Sequence, residues 1–282
     1  MIGVATSNKQ LPRAIRSIAR IGYAARGLVY LLAGVFTLLA GTGAGGDSVG
    51  PRGALSKIIG WPFGETLVYA IAAGLVCFAG WRAIQAIYDP DRFTGEPSSF
   101  LRRTFVYGGS AAIHLAMAAT AINLALVARA TDEDLQARDW TAWVLSQPFG
   151  RLLIMMLGFG IAIGGIALGA KAVAGDFRSK LPQREPETRW IVMLGRVGFA
   201  ARGLVFVLVG AFLSMAAWYY DPQQAVGVAG ALRSLQDKPY GAPLLGLAAI
   251  GLSCFGLFEL AQAARRRLAG LGRITPSARG VA

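Results

Sequence analysis

A few polar residues stand inside long apolar runs, and any chemistry in this chain would have to reside there. Arg26 lies in "RIGYAARGLVYLLAG" (20–34) and Arg202 in "RVGFAARGLVFVLVG" (196–210). Glu259 and Gln262 interrupt a third run, while Arg82, Gln85 and Lys171 stand near the ends of two more. A guanidinium in such surroundings can reach headgroup phosphates along its own aliphatic stem, which is the simpler account of Arg26 and Arg202. The alternative turns them inward, where Glu259 would pair with one of them and tie the two ends of the chain together. An unpaired charge at a bilayer centre costs roughly 3 kcal/mol, and less near the interface. That cost does not by itself demand a catalytic role.

His114 is the one histidine. With no carboxylate or thiol at its depth it cannot build a metal site, and bis-imidazole haem ligation needs a second histidine. It reads as a packed side chain bonded to Asn123 or to a backbone carbonyl. Membrane hydrolases and transferases need clustered carboxylates, or a nucleophile with its base. The acidic group Asp132, Glu133, Asp134 and Asp139 shares one loop with Arg138 and reads as solvated. No H-E-x-x-H, G-x-S-x-G or phosphate loop occurs. Cys77 and Cys254 read as small buried hydrophobes. No residue is assigned to catalysis, a cofactor or a metal, and the chain reads as a non-enzyme.

The elements that hold these residues follow from the apolar runs. Of 282 residues, 55% are hydrophobic and 15% charged, against about 25% charged in an average soluble domain. Six runs, near 21–41, 66–88, 104–127, 150–172, 197–219 and 243–264, reach the ~20 residues that a membrane helix needs. Backbone groups in lipid must bond internally, so a span is a helix or part of a closed barrel. Unbroken Leu/Ala/Gly-rich runs without alternation indicate helices. The fold expected is all-α, a polytopic six-helix bundle.

The net charge of +13 could point to nucleic acid, but its distribution points to topology, and no nucleic-acid motif accompanies it. Twenty of the 28 Lys and Arg lie in the N-terminal segment, the segments after spans 2 and 4, and the C-terminal segment; seven lie in the three alternate loops. The positive-inside rule then puts both termini in the cytoplasm. The basic ends also suit anionic headgroups.

The two opening stretches are copies of one another. The corners "WPFG" (61–64), "QPFG" (147–150) and "KPYG" (238–241) add a third copy. Each copy has a long helix, a polar loop, a short amphipathic stretch, a Pro-aromatic-Gly corner and a long helix back. The units span about 18–90, 101–177 and 194–268, with basic polar tails at 1–17 and 269–282, and imply pseudo-threefold symmetry. Proline stops the short helix and glycine permits the tight turn. Phe63, Phe149 and Tyr240, with Trp61, Trp140 and Trp143, fit the aromatic belt at a membrane surface. The second unit departs at its most distinctive position: Gly109 stands where the others have Arg26 and Arg202, and His114 where the first has Leu31. Because span 1 resembles the internal span 5, it is expected to be retained rather than cleaved, despite "GTGAGG" after it.

The "GYAARGLVY" start, the "ALxxxxxxPFG" corner and the three-unit plan resemble the bacterial membrane family catalogued as DUF1206. The resemblance covers about residues 18–268. It implies the six-span architecture in the inner (cytoplasmic) membrane of a bacterium and carries no activity, cofactor or partner with it.

Glycines at 27, 34 and 41 and at 203 and 210 line single helix faces, as do Gly160-x-x-x-Gly164 and Gly165-x-x-x-Gly169. Such faces let backbones approach where lipid removes the hydrophobic drive. Intramolecular packing is the simpler use, and homodimerisation through span 4 the alternative. The function expected is a non-catalytic bundle acting through lipid or partner-protein contacts. The alternative is a solute pathway along the pseudo-threefold axis, which would require Arg26, Arg202, His114 and Asn123 to converge. The candidate intramembrane polar or lipid-phosphate contacts are Arg26, Arg202, Glu259, Arg82, Lys171 and His114.

Overall fold

A computed structural model of the chain describes residues 13–42, 49–88, 104–127, 133–174, 188–236 and 238–265. Most of the terminal tails lie outside them, as do Asp132, residues 43–46 of "GTGAGG", and basic residues that set the expected topology, such as Arg92, Arg102, Arg103, Arg178 and Lys180.

The described residues contain helices and no strand. These are α1 (Arg13–Gly41), α2 (Pro51–Ile59), α3 (Gly64–Tyr88), α4 (Gly109–Val127, entered by a π-helical turn at Thr104–Gly108), α5 (Glu133–Leu145), α6 (Gly150–Ala174), α7 (Thr188–Tyr219), α8 (Val228–Gln236) and α9 (Gly241–Arg265). Six of them, α1, α3, α4, α6, α7 and α9, are long and apolar enough to cross a membrane. Helices α1 and α7 begin about two turns before the apolar runs do, because Arg13–Arg20 and Thr188–Arg196 are helical although too polar to be counted as span.

The corners between short and long helices share one geometry. Phe63, Phe149 and Tyr240 adopt φ of 63°, 61° and 63°, the left-handed region, at a cost of about 1 kcal/mol or more each. The Gly64 N–H donates to the Trp61 carbonyl at 2.8 Å, and that of Gly150 to Gln147 at 2.9 Å. Proline followed by a positive-φ residue is the signature of a type II turn, with an aromatic ring where glycine is usual. The next residue must be glycine: a Cβ at Gly64, Gly150 or Gly241 would collide with the carbonyl of Ile58, Val144 or Gln236. All three rings point out into the surroundings.

Small residues decide which long helices touch. In the first unit Gly22 lies against the Phe78 backbone, where an added Cβ would come within 2.6 Å of its Cα; in the third unit Gly198 meets Phe255 in the same way at 2.5 Å. These contacts seat α1 on α3 and α7 on α9. Between units, Gly27 opposes Gly256 across α1 and α9, and Gly203 opposes Gly165 across α7 and α6. Thus two glycines of the seven-residue stripe in α1, and their counterparts in α7, pack within the chain, as does Gly165 of span 4.

The second unit does not repeat this. Ser110 and Met117 stand where α1 has Gly27 and Gly34, and Phe105 stands where Gly22 and Gly198 do. Helix α4 packs on α3, but α4 and α6 form no comparable interface with each other among the described residues. Neighbouring long helices follow the order α4, α3, α1, α9, α7, α6, and the first and last of these form no comparable interface with each other among the described residues. The equivalence of contacts joins the first and third units and stops at the second.

At the end opposite the termini the second unit is clasped to both others. Asp134 Oδ1 accepts from the N–H groups of Gly227 (2.8 Å) and Gly230 (3.3 Å) at the start of α8, and Asp134 also pairs with Arg233. Arg52 of α2 donates to Gln136. Arg151 Nε and Nη2 donate to the carbonyls of Ala217 (3.1 Å) and Trp218 (3.0 Å), which close α7.

Candidate functional site

The polar residues singled out from the sequence are brought together in one layer near the end of the bundle that carries the termini. Arg26 and Glu259 form its centre. Arg26 Nη1 donates to Glu259 Oε2 at 3.0 Å, and the two residues are 3% and 2% exposed. Arg26 therefore does not snorkel. Of the two arginines that could have taken the carboxylate, the one on α1 has it, so the bond joins the first unit to the third.

Aromatic rings fill the space around the pair. The Arg26 guanidinium carbon lies 4.8 Å from the Phe78 ring centre, 5.0 Å from Phe255 and 5.7 Å from Tyr30. Phe78 and Phe255 are repeat equivalents, each fourteen residues beyond its corner glycine. Each is met edge-on at 5.3 Å by the equivalent residue of the preceding long helix, Tyr23 for Phe78 and Phe199 for Phe255. The phenyl faces stabilise the cations through the ring quadrupole, while their bulk keeps water away from the ion pair.

Arg202 also lies against Phe255. Its guanidinium carbon lies 5.0 Å from that ring, 5.3 Å from Tyr30 and 4.8 Å from Phe206. It is half-buried, its Nε is buried without a hydrogen bond, and among the described residues it has no carboxylate partner. Arg82 lies against Phe78, 4.9 Å from that ring and 5.3 Å from Tyr107, with Nη1 donating to Gln85 Oε1 at 3.1 Å. Arg82 and Glu259 are repeat equivalents, each eighteen residues beyond its corner glycine; Leu168 holds that position in the second unit. The same place in three hairpins is thus a cation, an anion and a hydrocarbon.

His114 is buried at 3% exposure with its ring 4.6 Å from Phe78. Its Nδ1 lies 2.6 Å from the Ser110 carbonyl one turn back, and its Nε2 is buried without a partner. Asn123 is exposed and does not join it, so of the two partners expected for the histidine the carbonyl is the one present. Arg26, Arg202 and Arg82 all lie near enough to act electrostatically on His114. Lys171 stands at the margin, exposed, with its ammonium 4.5 Å from the Phe199 ring. Cys77 and Cys254 are half-buried free thiols.

Reading the sequence found the charged members but not the rings that hold them, since Phe78 and Phe255 look like any apolar residue of a span. The signal available was their equivalence within the repeat, one helical turn before Arg82 and Glu259 respectively. What the arrangement offers chemically is fixed positive charge in a low-dielectric setting: three guanidinium groups and one carboxylate.

Comparison with known proteins places the chain. The family model described as Domain of Unknown Function (DUF1206) matches three tandem segments, residues 21–89, 105–175 and 197–266. The "Uncharacterized protein YxxB" of Bacillus subtilis (strain 168) is 30% identical over 249 residues, covering 87% of this chain and 89% of that protein. No solved structure matches. With three tandem matches and a relative aligned over most of its length, the chain belongs to the DUF1206 family of bacterial membrane-type proteins.

Proposed function

We propose that this protein is a non-catalytic bundle of the bacterial cytoplasmic (inner) membrane that acts by binding a lipid or a partner at its arginine layer, with both termini in the cytoplasm. The observation that carries the reading is the gathering of Arg26, Arg82 and Arg202 around the single carboxylate of Glu259. Charges inside a bilayer are costly and mark places where something is bound or moved. The four residues come from four different helices, so the site exists only in the folded bundle. A solute pathway along the bundle axis is less well supported. Asn123 does not reach the layer, and the centre is filled by Phe78, Phe255 and the ion pair. The orientation rests on the excess of Lys and Arg in the segments on the termini side.

Native mass spectrometry of protein extracted in a mild detergent tests the binding reading. A retained small molecule, lipid or protein partner is the expected result, and bare monomer alone would overturn it. Reporter fusions test the orientation: residues 130–140 are expected outside the cytoplasm and 178–190 inside it.

A further inference from the structure

We propose that the layer is a site for a phosphate group, approached from the side where α4 and α6 form no comparable interface with each other. The inference rests on the binding reading above and supplies the chemistry of the ligand. Three observations carry it.

The first is charge. Glu259 pairs with one guanidinium, that of Arg26, through Nη1 alone, and Arg26 Nε stays buried and unbonded. Among the described residues, Arg82 donates to the neutral amide of Gln85, and Arg202 has no hydrogen-bonding side-chain partner. The Nε atoms of Arg82 and Arg202 and the Nε2 of His114 are buried and unbonded. Aromatic faces hold a guanidinium plane but do not neutralise it. Each guanidinium presents a fork of N–H donors that fits a phosphate oxyanion, whose non-bridging oxygens accept from more than one donor.

The second is position. Arg82 and His114 come from α3 and α4, the first two helices in the order of neighbours. Arg202 comes from α7, next to the last of them, and the Arg26–Glu259 pair from α1 and α9 in the middle. The layer lies six residues from the C-terminal ends of α3 and α9, about 9 Å at 1.5 Å per residue. The layer therefore lies on the termini side of the bundle, the side to which the excess of Lys and Arg assigns the cytoplasmic surface.

The third is what the second unit leaves out. Gly109 stands where the other units carry Arg26 and Arg202, and Gly164 where they carry Phe78 and Phe255. A Cβ at Gly109, Gly160 or Gly164 would meet nothing within 4 Å. The unit whose long helices form no comparable interface also lacks the arginine and the ring that would complete the layer.

The phosphate could belong to a lipid or be free in solution. The full-length protein, delipidated in an uncharged detergent, is titrated separately with phosphatidylglycerol, phosphatidylcholine and inorganic phosphate, and followed by thermal unfolding and native mass spectrometry. At least one phosphate-bearing titrant is expected to bind and to raise the unfolding midpoint. Binding of a phospholipid but not of inorganic phosphate identifies a headgroup, and the reverse a soluble ligand. Arg202→Gln and Arg82→Gln are expected to weaken that binding at least tenfold, and Arg202→Lys, which keeps charge but not the fork, by less. Arg151→Gln, at the opposite end, is expected to leave it unchanged. Should a glutamine variant not accumulate, Arg202→Lys decides: affinity equal to the unaltered protein overturns the site. If the protein retains some other molecule but binds no phosphate, the phosphate chemistry falls and the binding reading stands. If nothing is retained and nothing binds, both fall.

Discussion

Replacing Glu259 by glutamine probes the centre of the layer most directly. The substitution preserves shape, and a glutamine Oε1 can still accept from Arg26 Nη1 at the 3.0 Å now spanned by the ion pair. What is lost is the negative charge, and with it the one carboxylate that Arg26 meets among the described residues. Removing one partner of a buried pair costs about 3–5 kcal/mol, and the surviving hydrogen bond returns about 1 kcal/mol, so a net loss of about 3 kcal/mol is expected. At about 2–3 °C per kcal/mol for a chain of this size, the unfolding midpoint should fall by about 6–9 °C. The assay is thermal unfolding of delipidated protein in one detergent. Arg26→Met, Glu259→Leu and the double variant complete a cycle. The double variant should recover most of the loss, since an apolar pair can replace a buried ionic one without cost. An unchanged midpoint in Glu259→Gln, or a double variant whose loss is the sum of the two single ones, would refute the reasoning.

Three other outcomes are expected from the packing. Gly22→Ala and Gly198→Ala should each destabilise by about 1–3 kcal/mol, because the new methyl meets the backbone of Phe78 or Phe255, whereas Gly160→Ala and Gly164→Ala should change the midpoint little; thermal unfolding of the four variants compares them. Phe63→Gly should be more stable than Phe63→Ala by about 1 kcal/mol, since only glycine adopts the left-handed φ at no steric cost, and the same assay reads the difference. Asp134→Asn should weaken the start of α8 by about 1 kcal/mol, the usual worth of a helix cap, seen as faster amide exchange over residues 228–236 with little change in the long helices.

The long helices were plain in the sequence because an apolar run of membrane length has few alternative readings, and the repeat was plain because its corner is built of residues with special backbone geometry. Even so, "RAIRSIAR" at the start of α1 could not be recognised as continuous with the span, since hydropathy falls before helicity does. Glu259 could be marked as a partner for an arginine because it is a carboxylate in an apolar run. Which arginine it takes depends on α1 packing against α9, a neighbour relation between the ends of the chain that no local pattern encodes. The departure at Gly109 was visible as a missing side chain. Its physical meaning, that α4 and α6 form no comparable interface, needed the companion changes at Phe105 and Gly164, which only the contacts of the other two units make interpretable.

The bond between Arg26 and Glu259 spans 233 residues of sequence, and this gives the protein a clock. At about 5–20 residues per second, synthesis delivers the acidic partner roughly 10–50 seconds after the basic one has been made. Throughout that interval the first hairpin holds an uncompensated cation that only water, a surface lipid or the insertion machinery can shelter. The final helix therefore completes the layer: a chain that stops before α9 has five spans, and Arg26 lacks the carboxylate it meets in the finished protein.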